Sequence, residues 1–326
     1  MEKRNYSYDV IRSMAIFLVI WIHSQEQYPS DSTYFGSVTY YLGRLGVPLF
    51  LMLTGALQTS KAGSMSLKEY YRKKVLPLYL VSVLWIFLYA FNWGSANFAS
   101  VFQNLVRAVC LITSTKHLWY LPIIIGISAI MPLISKIESM SNQDIFIISA
   151  MSFGFNILAM KNLFTVVQVQ FGITYFMWYI LVGYLCGKRK VLQTINIYLL
   201  IILNVGCVIL FQLFRSWLVS ANVTFDTWWY NMPFIMLGGV FLFELLQRIR
   251  IDDPTAIKGF AYISKNAFCM YLVHYFFVVL LGGILTAHLP KNAPIAVLIC
   301  AGTFGLSFLS AIIISRIPVI RKIFLA

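Results

Sequence analysis

YDVIRSMAIFLVIWIHS, running from Tyr8 to Ser24, decides how the rest of the chain is read. It is apolar and close to the length of a bilayer-spanning helix, roughly 20 residues with a usual range of about 17–25, yet it carries Asp9, Arg12 and His23. At 100° per residue, the step from Arg12 to His23 overshoots three turns by about 20°, so both side chains share one helix face about 16 Å apart along the axis. Asp9 precedes Arg12 by one helical turn, where the two can pair. An ionisable group at bilayer depth costs on the order of 2.5–3.5 kcal/mol on insertion scales, so each one asks for a reason. Spacing alone favours a modest one: Asp9 and Arg12 anchor the helix at the cytoplasmic headgroups, with Arg12 snorkelling. His23 near an interface is by itself only a hydrogen-bonding group.

Nine further apolar stretches follow, at 40–58, 75–92, 118–134, 145–160, 171–186, 195–214, 228–246, 268–286 and 293–314. With 8–24 they predict an all-α polytopic membrane protein of about ten transmembrane helices in one bundle. Membrane β-strands are excluded, because the runs are too long and do not alternate. The segment 98–113, with Arg107 inside it, reads as interfacial or re-entrant. Composition agrees: 60% of the residues are hydrophobic and 11% charged, against about 45–50% and about 25% in soluble domains. A cytosolic domain, a disordered chain and a disulfide scaffold are thereby excluded. The five cysteines show no close pairing and read as small core residues.

Counting Lys and Arg connection by connection gives 18 on one side and 6 on the other, with Arg12 inside the first stretch. Cations collect in cytoplasmic loops. The alternation is in register with ten crossings and puts both termini in the cytoplasm of a multi-pass protein of the inner or plasma membrane. It also accounts for the net charge of +14, so no nucleic-acid partner is expected. Lys3 and Arg4 mimic a secretory signal, but Asp9 and Arg12 interrupt the apolar run and no small-residue cleavage site follows, so an uncleaved first helix is expected. No break between stretches is long enough for a soluble domain. Residues 1–326 are therefore expected to form a single membrane-embedded domain.

Four motifs stand beside the first helix. RKKVLP (Arg72 to Pro77) is either ordinary positive-inside bias or an anion site for phosphates. KHLWYLP (Lys116 to Pro122) puts His117 at an outer mouth, beside an aromatic belt or a site. MYLVHYFF (Met270 to Phe277) puts His274 in mid-span, and GVPLFLMLTG (Gly46 to Gly55) suits a kinked or closely packed helix. Glu244 reads as an interfacial anchor. Walker-type loops, HExxH, GxSxG and Cys/His sets at zinc spacing are all lacking, so no metal is expected.

Asp9, Arg12, Ala15 and His23 resemble the opening helix of the acyltransferase-3 family of bacterial membrane acyltransferases. Its hallmark is a basic residue, ten intervening residues and a histidine, with an aspartate three positions before the base. The similarity extends to GVPLFLMLTG, HLWYLP, YFMWYILVGYL (Tyr175 to Leu185) and MYLVH (Met270 to His274), and so covers most of the chain. HLWYLP is most similar to the branch that O-acetylates surface polysaccharides. One departure is the run Arg72, Lys73, Lys74 where relatives often carry a spaced arginine pair, since Lys lacks the bidentate fork of Arg.

The resemblance implies acyl-CoA, in particular acetyl-CoA, as donor and a sugar or glycolipid hydroxyl as acceptor. It makes His23 the general base, with Arg12 and Asp9 in the catalytic group. Arg12, Arg72, Lys73 and Lys74 are then suited to the donor's phosphates. His117, Trp119, Tyr120 and His274 are candidates for the acceptor site or the oxyanion donors, and no nucleophile stands out for an acyl-enzyme. A transporter or flippase of a polysaccharide or its lipid-linked precursor fits the composition equally well, although inverted halves with paired broken helices are missing. A catalytically idle assembly partner is a third reading.

Overall fold

The computed structural model describes residues 5–27, 34–91, 97–113, 115–160, 172–222, 227–289 and 292–317. In chain order its helices are α1 (Tyr6–Gln25), α2 (Tyr34–Arg44), α3 (Gly46–Gly63), α4 (Leu67–Tyr70) and, after a π-turn at Tyr71–Val75, α5 (Leu76–Ala90). There follow α6 (Phe98–Val109), α7 (Tyr120–Ile134), α8 (Asn142–Met160), α9 (Gly172–Gly187) and α10 (Ile197–Ser220). α11 (Pro233–Gln247), α12 (Pro254–His288) and α13 (Ala293–Ser315) complete the set. The protein is all-helical and largely apolar, and a helix lies on each of the ten apolar stretches.

Among the described residues, six helical segments are long and apolar enough to cross a membrane: Gly36–Gly63, Leu67–Ala90, Tyr120–Ser139, Ile197–Ser220, Pro254–His288 and Ala293–Ser315. Phe176–Gly187 and Pro233–Gln247 are apolar but shorter. α1, diluted by Asp9, Arg12 and His23, is outside the six. α6, on the segment read as interfacial, has only 12 residues and leaves Phe98, Phe102, Leu105 and Val109 exposed.

The chain divides into two compact units, one of Met1–Gln58 with Ser139–Ser310, the other of Thr59–Glu138 with Ala311–Ala326. In the first, α1 buries most of its length, and glycines let its neighbours reach its backbone. A Cβ on Gly43 would lie 2.9 Å from the Cβ of Ile22, and one on Gly46 would lie 2.8 Å from the carbonyl oxygen of Ala15. Of the two features expected of the motif Gly46 to Gly55, a kink or close packing, Gly46 supplies close packing. The chain turns between α2 and α3, and Pro48 falls in the first turn of α3, where its missing N–H costs nothing.

Further along α3 the backbone of α9 arrives. A Cβ on Gly55 would sit 2.0 Å from the carbonyl oxygen of Ile180, and one on Gly183 would sit 2.3 Å from that of Met52. Small residues at such crossings are what apolar solvent leaves helices to associate by. Buried phenols tie loops and helix ends to this frame: Tyr41 donates to the Phe234 carbonyl at 2.7 Å, and Tyr179 donates to that of Tyr230 at 2.6 Å.

Three expectations change. Glu244 is no surface anchor: it is 2% exposed and paired with Arg248 at 2.9 Å, whose guanidinium also donates to the carbonyls of Leu192 and Ile195. Four cysteines are buried, but Cys110 is exposed. α12 has 35 residues, so Lys258 and Lys265, assigned to a connection, are helical. The physical cause is a strong start: Asp253 caps the backbone N–H groups of Thr255 and Ala256, Pro254 occupies the first turn, and no further proline interrupts the helix. Those same N–H groups hold the Asp253 carboxyl below the usual carboxylate range.

In the second unit, the helix from Leu67 to Ala90 widens at Tyr71–Val75, where the Leu76 N–H reaches back to the Tyr71 carbonyl. Pro77 explains the widening, since its ring clashes with a regular turn before it. Tyr71 donates to the Ala129 carbonyl, and Tyr79 donates to that of Val109.

The α3–α9 crossing is directly testable. Gly183→Ala places a methyl group against backbone that has no freedom to move, and overpacking of this kind costs about 1–3 kcal/mol. We expect a lower melting temperature and less monodisperse protein in detergent. Gly259→Ala, which meets open space on α12, should behave as wild type in the same size-exclusion assay.

Candidate functional site

α1 and α12 run parallel, cross-linked at two levels. Near the start of α1, Arg12 Nη1 donates to the buried Ser264 Oγ at 2.8 Å. Near its end, the His23 ring lies 5.3 Å from that of His274 and 5.5 Å from that of Tyr275. The contacts are eleven residues apart on α1 and ten apart on α12, or about 16 and 15 Å of helical rise. The face that Arg12 and His23 share is therefore the face toward α12. Asp9, 4% exposed, sits one turn before Arg12.

His23 is 9% exposed, and its Nδ1 lies 3.0 Å from Oε2 of Glu26. The other Glu26 oxygen accepts from the Tyr40 hydroxyl at 3.4 Å. That hydroxyl in turn accepts from Arg44 Nη2 at 3.0 Å, while Arg44 Nη1 donates to the Tyr230 hydroxyl at 3.4 Å. The Arg44 guanidinium also stands over both phenol rings, 5.1 Å from Tyr40 and 5.5 Å from Tyr230. His274 is fully buried, and its Nδ1 donates to the Tyr271 carbonyl at 2.6 Å, which in the neutral ring puts the lone pair on Nε2.

The other expected site residues belong to the second unit. Arg72, Lys73 and Lys74 all fall in the π-turn, so they do not fan out at regular helical spacing. Lys73 is tied to Glu69 at 2.6 Å in an exposed pair of the kind that adds little to stability. His117, expected at the outer mouth, is 1% exposed, with Tyr89 edge-on at 4.7 Å. Trp119 and Tyr120 are half-exposed neighbours whose ring centroids are 6.1 Å apart. Among the described residues, no three His, Cys, Asp or Glu side chains gather into a metal-holding group.

Thus Asp9, Arg12, His23 and His274 share one unit, and Arg72, Lys73, Lys74, His117, Trp119 and Tyr120 share the other. Sequence reasoning missed Glu26. The signal was present, a carboxylate one turn after the histidine in HSQE, but it falls just beyond the apolar stretch.

Buried ionisable side chains on α1, inside an apolar all-helical frame with membrane-length helices, define the class as a polytopic membrane protein. The comparison with known families narrows this class. The acyltransferase-3 family (Acyl_transf_3, acyltransferase domain) matches residues 5–312, and the chain belongs to it. It is a membrane-embedded protein with an acyltransferase-type fold. Neither the curated proteins nor the solved structures compared with the chain gave a match.

The two-level contact between α1 and α12 makes a register prediction. One Ala inserted after Phe17 rotates His23 by about 100° relative to Arg12 while adding about 1.5 Å, so both contacts with α12 cannot be kept. Acyl transfer should be lost at near-normal protein levels. Phe17→Leu, at an exposed position, should be mild in the same transfer assay.

Proposed function

We propose that the protein is a membrane O-acyltransferase that moves an acetyl group from cytoplasmic acetyl-CoA to a hydroxyl of a surface polysaccharide or glycolipid, with His23 as general base. The observation that carries this reading is the His23 imidazole, buried among apolar helices and hydrogen-bonded through Nδ1 to Glu26, on the same α12-facing side as Arg12. Family membership supports an acyltransferase over a transporter.

In the reading, the acceptor oxygen attacks the thioester carbonyl carbon as its proton passes to neutral His23. The tetrahedral intermediate then collapses with cleavage of the C–S bond. The leaving thiolate takes that proton back from the imidazolium, giving the ester and free CoA with His23 restored. The developing oxyanion needs donors, for which His117, Trp119 and Tyr120 are the candidates, while His274, whose Nδ1–H is taken by the Tyr271 carbonyl, remains a candidate for the acceptor site. The phosphates of CoA go to cations, for which the chain offers Arg12 and the Arg72–Lys74 run, with Asp9 beside Arg12.

The same proposal keeps residues 1–326 as one acyltransferase domain with ten crossings, both termini cytoplasmic, in the inner or plasma membrane. Helix directions support it: if α1 runs outward, its parallel partner α12 does too, which puts Lys258 and Lys265 with the cytoplasmic cations. Asp31, outside the described residues, then lies on the external side, and a cysteine there, in a background without native thiols, should label from outside. Labelling only from inside would overturn the topology.

The chemistry is tested with purified protein and acetyl-CoA, and by mass spectrometry of surface glycans with and without the gene. His23→Ala should express normally while transfer falls by roughly 100-fold or more, the scale of losing a general base. Arg12→Ala should instead raise the KM for acetyl-CoA by about 10-fold, the scale of one charge-assisted hydrogen bond. Near-wild-type transfer by well-expressed His23→Ala would refute the role of His23.

A further inference from the structure

We infer that Glu26 is the positioning residue of this site: it holds His23 in the tautomer whose Nε2 accepts the acceptor proton, and is itself held by Tyr40 and Arg44. The inference rests on His23 being the base. An ionised carboxylate can only accept, so the 3.0 Å contact requires the proton on His23 Nδ1. That leaves the basic lone pair of the neutral ring on Nε2 and fixes the ring plane as well, because Glu26 stands one turn further along the same helix. Without the carboxylate, the ring divides its time between two tautomers and more than one rotamer.

Glu26 in turn needs a reason to stay charged at the edge of an apolar interior, and α2 supplies one. Tyr40 donates to Glu26 Oε1 and receives a hydrogen bond from Arg44, whose guanidinium is sandwiched between Tyr40 and Tyr230. The cation thus reaches the carboxylate through a phenol and does not form a direct bidentate pair with it. This keeps Oε2 directed at His23. The groups that face the pair are His274 and Tyr275 from α12, Tyr40 and Arg44 from α2, and Tyr230 ahead of α11. During turnover the proton shuttles between acceptor, His23 Nε2 and the leaving thiolate, and Glu26 remains ionised. Its anion stabilises the imidazolium at the moment that species forms.

The test compares Glu26→Gln, Glu26→Ala, His23→Ala and the double variant His23→Ala with Glu26→Gln, all as full-length protein in detergent or vesicles. A positioning residue supplies part of the roughly 10²–10⁴-fold that a general base contributes, so Glu26→Gln should lower kcat by about 10- to 100-fold. The KM for acetyl-CoA should stay within about twofold. The acidic limb of the kcat profile should move, because the imidazolium formed during turnover loses its neighbouring anion. Since Glu26 acts only through His23, the double variant should be no slower than His23→Ala alone.

An unchanged kcat and pH profile in Glu26→Gln, with His23→Ala inactive, would overturn the role of Glu26 and leave His23 as base. A drop without any movement of the acidic limb, or a further loss in the double variant, would also overturn it by revealing a structural part. An active His23→Ala would remove the base itself, and the inference with it. Should Glu26→Ala fail to fold, the isosteric Glu26→Gln and the double variant decide the matter.

Discussion

Polar groups carried into an apolar helical interior must find their partners there, because neither lipid nor apolar side chains can supply them. α1 is where this demand is greatest. Asp9, Ser13 and His23 are all buried on it, and Arg12 is partly so. Each described contact of these groups reaches inward: Arg12 to Ser264, Ser13 to the Phe260 carbonyl, His23 to Glu26 and to the rings of α12. The position of α12, the rotation of α1 and the location of the candidate site all follow from meeting that demand on one face.

Meeting it requires close approach, and glycine provides the room. Gly43 and Gly46 bring α2 and α3 against the backbone of α1, while Gly55 and Gly183 let α3 and α9 touch main chain to main chain. With the surrounding helices drawn in, the end of α2 lies beside the end of α1, so that Tyr40 and Arg44 are in place for Glu26. Packing by small residues thus sets the electrostatics of the site, since a wider crossing would separate the carboxylate from its cation. The same principle appears at Glu244, whose burial is matched by Arg248 and by two carbonyls of the turn between α9 and α10 on that guanidinium.

Much of this was legible in the sequence. Hydropathy located every major apolar helix, because a run of apolar residues bounded by polar ones has few other solutions in a bilayer. The spacing of Arg12 and His23 fixed their common face, because helical periodicity is a local property. The Gly and Pro content of residues 46–55 announced tight packing. The ends of the helices were less legible: α12 extends well before its apolar portion because its cap and its propensities, not its hydropathy, decide where it starts. Pro77 was visible as a breaker, but its effect, a π-turn that gathers Arg72, Lys73 and Lys74, depends on how the helix accommodates the ring.

The sequence by itself determined the class of protein, the positions of its helices and the face of α1 that carries Arg12 and His23. All of these depend on composition and on residues within a few turns of one another. Only the tertiary structure decided which helix that face meets, that Glu26 lies on the His23 ring, that Arg44 reaches Glu26 through Tyr40, and that His117 is buried against Tyr89. Those pairings join residues that local periodicity does not relate, or choose one rotamer among several. They are settled by which helices the glycines allow to approach and by the cost of leaving a buried polar group without a partner.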